Sequence, residues 1–184
     1  MKVIPLRLPP GADLRRALEA WMGEQQEQAG CVISAVGSLS VAQLRLAGAT
    51  EATVIRGDLE ILSLSGTLSP DGVHLHIAIS GSSGAVIGGH LCVGSLVRTT
   101  AELVIGLLPE WQFSRKLDPA TGCAELQIRA QPERSSPAGS PANPVVAAGW
   151  PDLAAGTHAA PPGRQRCSTA QGTEPPDHSS TQAG

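Results

Sequence analysis

The sequence predicts an α+β fold: a compact single domain over residues 1–130, with a mainly antiparallel sheet of about seven strands and one main helix. Three observations carry that expectation. Short apolar runs with period-two alternation recur through residues 1–130, a helical 3, 4, 7, 8 spacing appears once, and turn residues separate the runs at short intervals. Beyond Gln131 the composition shifts to Pro, Gly, Ser, Ala and Thr, as in Arg134-Ser-Ser-Pro-Ala-Gly-Ser-Pro. Such a segment buries too little apolar area to offset its ordering entropy, so residues 131–184 are expected to form a disordered tail.

Lys2 to Leu8 reads as an opening strand that stops at Pro9-Pro10. Leu14, Ala17, Leu18, Trp21, Met22 and Gln25 then mark one face of an amphipathic helix, with Asp13 as its N-cap and Gly30 as its αL stop. The outward face, with Arg15, Arg16 and Glu19, is expected to be solvated. Cys31 to Ser38 is a strand, and a second strand carrying Leu44 and Leu46 follows a break at Gly37-Ser38. Thr53-Val-Ile is short strand or loop after the turn at Gly48. Gly57 to Leu68 is apolar on both faces and reads as a central strand. Ser69-Pro70-Asp71-Gly72 has the signature of a type I turn with a glycine bulge, a three-residue loop that sets Leu68 opposite His74 and Gly66 opposite His76. Thr99 to Leu108 is a further strand, and Trp111–Leu117 with Ala124–Ala130 forms a closing hairpin.

The stretch richest in chemistry is Val73 to Gly94, which holds His74, His76 and His90. Val73, Leu75, Ile77 and Ile79 take odd positions, as do Ile87, Leu91 and Val93 in the second run, so the histidines and Cys92 share the opposite face. A turn centred on Ser83 pairs Ile79 with Ile87, and hence His76 with His90 and His74 with Cys92, with opposed Cβ atoms about 4.5–5.5 Å apart. A one-residue slip would drive Leu91 and Val93 out of the apolar layer. Converging imidazoles suit Zn²⁺ or another borderline divalent ion, with Cys92 as a fourth ligand or a position left open for water. The alternative is an amphipathic hairpin whose polar face meets solvent or another subunit. Glu60, six residues before Gly66, lies about 20 Å along its strand from that point and is no ligand candidate within one chain.

Charge and composition bound the function. Residues 1–130 carry ten Lys/Arg against twelve Asp/Glu, which is not the basic surface of a protein that grips phosphate backbones unaided. With three Trp, one Phe and no Tyr, there is no stacking platform for single strands. No signal-peptide core and no apolar run of membrane-spanning length are present, and the cysteines lack a C-x-x-C pair, so the expectation is a soluble, cytoplasmic protein with reduced thiols and no membrane partner.

Taken together, Ala35-Val-Gly-Ser-Leu-Ser, Leu59-Glu-Ile-Leu-Ser-Leu-Ser-Gly, His74-Leu-His, Gly88-Gly-His90-Leu and Ala101-Glu-Leu-Val-Ile-Gly resemble the PPC domain, the plant and prokaryote conserved domain also called DUF296, over residues 2 to about 130. The resemblance implies a homotrimer, a metal site at His74, His76 and His90 that takes zinc, and the DNA-binding label given to bacterial and archaeal members. It also exposes a departure: plant members typically read G-R-F-E-I-L where this chain has Gly57-Asp58-Leu59-Glu60-Ile61-Leu62. The AT-hook core Arg-Gly-Arg-Pro is absent, and the nearest fragment is Gly163-Arg-Gln-Arg166. The expected function is a trimeric metal-binding or regulatory module. The alternatives are a DNA-binding or partner-binding regulator and a metal-dependent enzyme, whose general base the sequence does not place among carboxylates such as Asp71 and Glu102.

Overall fold

The computed structural model describes residues 1–131; the expected tail, with Trp150 and Cys167, lies outside the described residues. The chain runs β1 (Lys2–Leu8), α1 (Leu14–Gly23), β2 (Gly30–Arg45), β3 (Thr53–Ser69), β4 (Gly72–Ser80), β5 (Val86–Leu91), β6 (Leu96–Leu107), β7 (Trp111–Leu117) and β8 (Ala124–Ala130). Six strands form one antiparallel sheet in the order β1-β6-β2-β3-β4-β5, and β7 pairs with β8 in a separate hairpin. Late in its course β2 also pairs with β5, through Leu44 with Leu91 and Arg45 with His90. The strands β2, β3, β4 and β5 therefore close on themselves. Their inward positions, such as Leu44, Leu64, Ile79 and Leu91, join Leu14, Leu18 and Met22 of the helix in one apolar core.

The helix follows its sequence signals at the start and departs from them at the end. Asp13 Oδ1 accepts from the backbone N–H of Arg15 and of Arg16, each at 3.1 Å, which satisfies two donors that an uncapped helix leaves orphaned. Its Oδ2 accepts from Gly94 N at 2.7 Å and so ties the helix to the β5–β6 connection. The helix ends at Gly23, not at Gly30, which instead opens β2 between Leu68 and Leu107.

Two expected breaks are absent, and at one of them the glycine serves close approach within a long strand. β2 runs through Gly37, whose φ of 143° and contact with the Thr100 carbonyl leave no room for a Cβ, and the β2–β6 register shifts there. β3 absorbs Thr53-Val-Ile, which pairs with Leu44, Gln43 and Ala42 of β2, and extends over 17 residues. Between β3 and β4 the register is Leu68 with Val73, Thr67 with His74, Gly66 with Leu75 and Ser65 with His76. The expected pairing of Leu68 with His74 is thus off by one, because Ser69 opposes Gly72 across a two-residue Pro70-Asp71 turn. This register keeps apolar residues opposite apolar ones, which the three-residue loop would not have done. No helix among the described residues is long and apolar enough to cross a membrane.

Candidate metal centre

The β4–β5 hairpin carries the site. Its register pairs His76 with His90, Ile79 with Ile87 and Ser80 with Val86, centring the turn on Ser83. Alternation then sends Val73, Leu75, Ile77 and Ile79 into the core and leaves His74 and His76 on the outer face with His90. His76 Nε2 lies 3.0 Å and His74 Nε2 3.2 Å from the same atom, Nδ1 of His90. One donor nitrogen from each ring lies within 4.8 Å of the others. The rings of His74 and His90 stack 19° from parallel, and that of His76 stands at 87° to His90.

A hydrogen-bond network explains this geometry poorly. A neutral imidazole nitrogen offers one in-plane site, either a lone pair or a proton, so Nδ1 of His90 satisfies only one of two approaching nitrogens. A cation resolves the conflict: with Zn–N bonds of about 2.0–2.1 Å, tetrahedral ligands stand roughly 3.3 Å apart, close to both observed separations. Three neutral nitrogens also form a donor set matched to a borderline divalent ion. The surroundings favour the neutral form of two of the rings. Desolvation and then Arg45 push His90 down to about 4, while desolvation followed by Arg115 lowers His74.

Cys92 does not pair with His74. The β5 ladder ends at Leu91, the Cys92 N–H turns to the Gln43 carbonyl at 2.8 Å, and its thiol points to the His90 carbonyl at 3.7 Å. The cause is the strand closure, since β5 leaves β4 to join β2 and then turns toward the helix cap. Val93, expected inside, is exposed for the same reason. Of the carboxylates considered from sequence, Glu60 sits opposite Ser80, Glu102 lies exposed on β6, and Asp71 accepts from Arg115 N; none joins the histidine group.

Three arginines frame the group, and sequence reasoning missed all of them as site residues. Arg15, expected on a solvated face, donates from Nη1 to the Leu91 carbonyl at 2.9 Å and from Nη2 to the Val73 carbonyl at 3.2 Å, while Nε meets Glu19 at 2.8 Å. It clamps the two strands beside His74 and His90. Arg45 is the β2 neighbour of His90. Arg115 reaches in from β7 and donates from Nη2 to Thr67 Oγ1 at 3.1 Å, next to His74 in the ladder. Only Arg45 had a legible signal, its outward place beside inward Leu44; the others depend on long-range packing.

These features describe an antiparallel sheet protein with one capping helix and an outward histidine trio, and comparison with known proteins gives its family. Residues 1–109 match the model of the Plants and Prokaryotes Conserved (PCC) domain. The chain belongs to that family. The bifunctional protein GlmU of Synechococcus sp. (strain JA-3-3Ab) is 53% identical over 137 residues, 74% of this chain and 22% of that protein. The chain therefore spans about a fifth of the length of the GlmU proteins it matches. A Salmonella enterica protein of known structure is 41% identical, with a TM-score of 0.69 over 71% of this chain and 94% of its own. A metal-containing protein from Archaeoglobus fulgidus is 31% identical, with a TM-score of 0.57 over 69% of this chain and 94% of its own.

Proposed function

We propose that the chain is a metal-binding module in which His74, His76 and His90 hold Zn²⁺ or another borderline divalent cation, working as a homotrimer in a binding or regulatory role. The observation that carries the reading is the approach of two histidine nitrogens to one nitrogen of the third, at 3.0 and 3.2 Å. The metal content of the Archaeoglobus relative supports it. The trimer rests on the family resemblance and on exposed apolar residues of the sheet, Ile33 at 48%, Val36 at 55% and Leu62 at 53%, which a neighbouring subunit would cover. In this reading residues 1–130 are the functional domain and residues 131–184 an appended tail.

A binding role is favoured over turnover because no carboxylate joins the histidine group among the described residues. A DNA-binding role has less support: residues 1–130 carry two more acidic than basic side chains, so phosphate contacts would need a patch assembled from several subunits. Equilibrium dialysis against Zn²⁺ tests the proposal. Wild-type protein should take up one ion per chain, and His76→Ala should lose most of it. Wild-type stoichiometry retained in each of the three single His→Ala variants would refute the assignment.

A further inference from the structure

The cationic groups around the histidines lack the negative charge that would balance them. Arg15 has Glu19, but Arg45 makes no side-chain hydrogen bond or ion pair among the described residues. Arg115 has no carboxylate within ion-pair distance there, and its buried Nε has no hydrogen-bond partner. The acidic group that acts on its charge is Glu125, whose Oε1 already accepts from Thr121, while Asp71 accepts from its backbone N–H. The strand ladders place these groups together. One rung runs Arg45, His90, His76, Ser65 across β2, β5, β4 and β3, and the next sets His74 beside Thr67, to which Arg115 is bonded.

A metal bound by three neutral imidazoles keeps its full double charge. Between two arginines without carboxylate partners, that charge makes the outer face an anion receptor. Tetrahedral coordination leaves the fourth position open, and oxygen ligands bind Zn²⁺ at about 2.0–2.2 Å. Guanidinium forks match carboxylate and phosphate oxygens bidentately, as halides do not. His74 and His76 are exposed, so the open position faces solvent and can admit one end of a larger molecule.

We infer that the centre binds an oxyanion, the carboxylate or phosphate group of a small molecule, which takes the open metal position and is held by Arg45 with support from Arg115. This rests on the proposed metal centre. The anion completes the charge balance, so the metal and the anion bind cooperatively, each raising the other's affinity. Arg45 acts on the two ligands with opposite sign: it repels the metal and attracts the anion.

The test uses full-length protein loaded with Co²⁺, whose visible absorption reports the metal's coordination, titrated at fixed ionic strength with inorganic phosphate and, separately, with acetate. A saturable change in the cobalt bands is expected with at least one of them. Tighter binding of phosphate assigns a phosphoryl ligand, and tighter binding of acetate a carboxylate. Arg45→Gln should weaken the anion by about tenfold or more, the worth of one charge-assisted hydrogen bond, while leaving cobalt affinity unchanged or raised. A merely structural role for Arg45 would lower both affinities together. Arg115→Lys, which keeps the charge but loses the fork, should weaken the anion without releasing cobalt. Cobalt bands that ignore both anions, or anion binding indifferent to Arg45→Gln, would overturn the inference and leave the metal centre standing. Absence of any cobalt band would overturn the metal reading and this inference with it.

Discussion

At Nδ1 of His90 the chemistry of the site is concentrated in one atom, because the nitrogens of His74 and His76 both point to it and it offers one site. The proton balance follows from the surroundings. His90 is pushed down to about 4 and His74 is lowered as well, so these two proposed ligands resist protonation more than ordinary imidazoles do. Three unperturbed imidazoles would cost roughly a thousandfold in metal affinity between pH 7.5 and 5.5, as each becomes mostly protonated. The loss here should fall well short of that, measured by competition with a chelator of known affinity. The same shift bears on the metal-free fold. Between pH 6.5 and about 4 the unfolded chain takes up a proton that folded His90 refuses, so stability should fall as pH drops through that window. Urea unfolding of metal-free protein at several pH values should show the slope, and His90→Gln should flatten it.

The hairpin β4–β5 was the legible element. Strict alternation and one symmetric turn fix its register, which is why the pairing of His76 with His90 could be read from Val73 to Gly94. Cys92 was misplaced because its position depends on the closure of β5 onto β2, a contact between segments about 50 residues apart that no local pattern encodes. The Ser69–Gly72 turn failed differently: the turn signature pointed to a three-residue loop, yet pairing apolar with apolar demanded the two-residue one. Gly66 shows what that register requires. At φ 151° it lies against the backbone of His74 and Leu75, with no space for a Cβ. Gly66→Ala should therefore destabilise the domain by about 1–3 kcal/mol and loosen the strand that carries His74, measurable as lowered thermal stability and weaker metal binding together. Arg15→Ala acts at another point. It removes the donors that hold the Val73 and Leu91 carbonyls and should weaken metal binding while leaving all three ligands in place.

For the molecule as a whole, the single helix covers one side of the sheet and leaves Ile33, Val36 and Leu62 exposed on strands β2 and β3. If neighbouring subunits cover them, light scattering on residues 1–131 should give three times the monomer mass, and a clean monomer at micromolar concentration would count against the trimer. Leu62→Glu should shift the mass downward without unfolding the monomer, since Leu62 points away from the core. The tail should add nothing to folding: removing residues 132–184 by limited proteolysis should leave the melting temperature unchanged, and a fall of several degrees would reveal docking.

The central claim is that three histidines from one hairpin form a metal centre. It is tested most directly by anomalous X-ray scattering at the zinc edge from crystals of the protein grown with Zn²⁺. The account predicts one strong peak per chain, about 2.0–2.1 Å from a ring nitrogen of each of His74, His76 and His90. A map with no peak at that point, or with zinc bound elsewhere while these three rings keep contact only with one another, would contradict it.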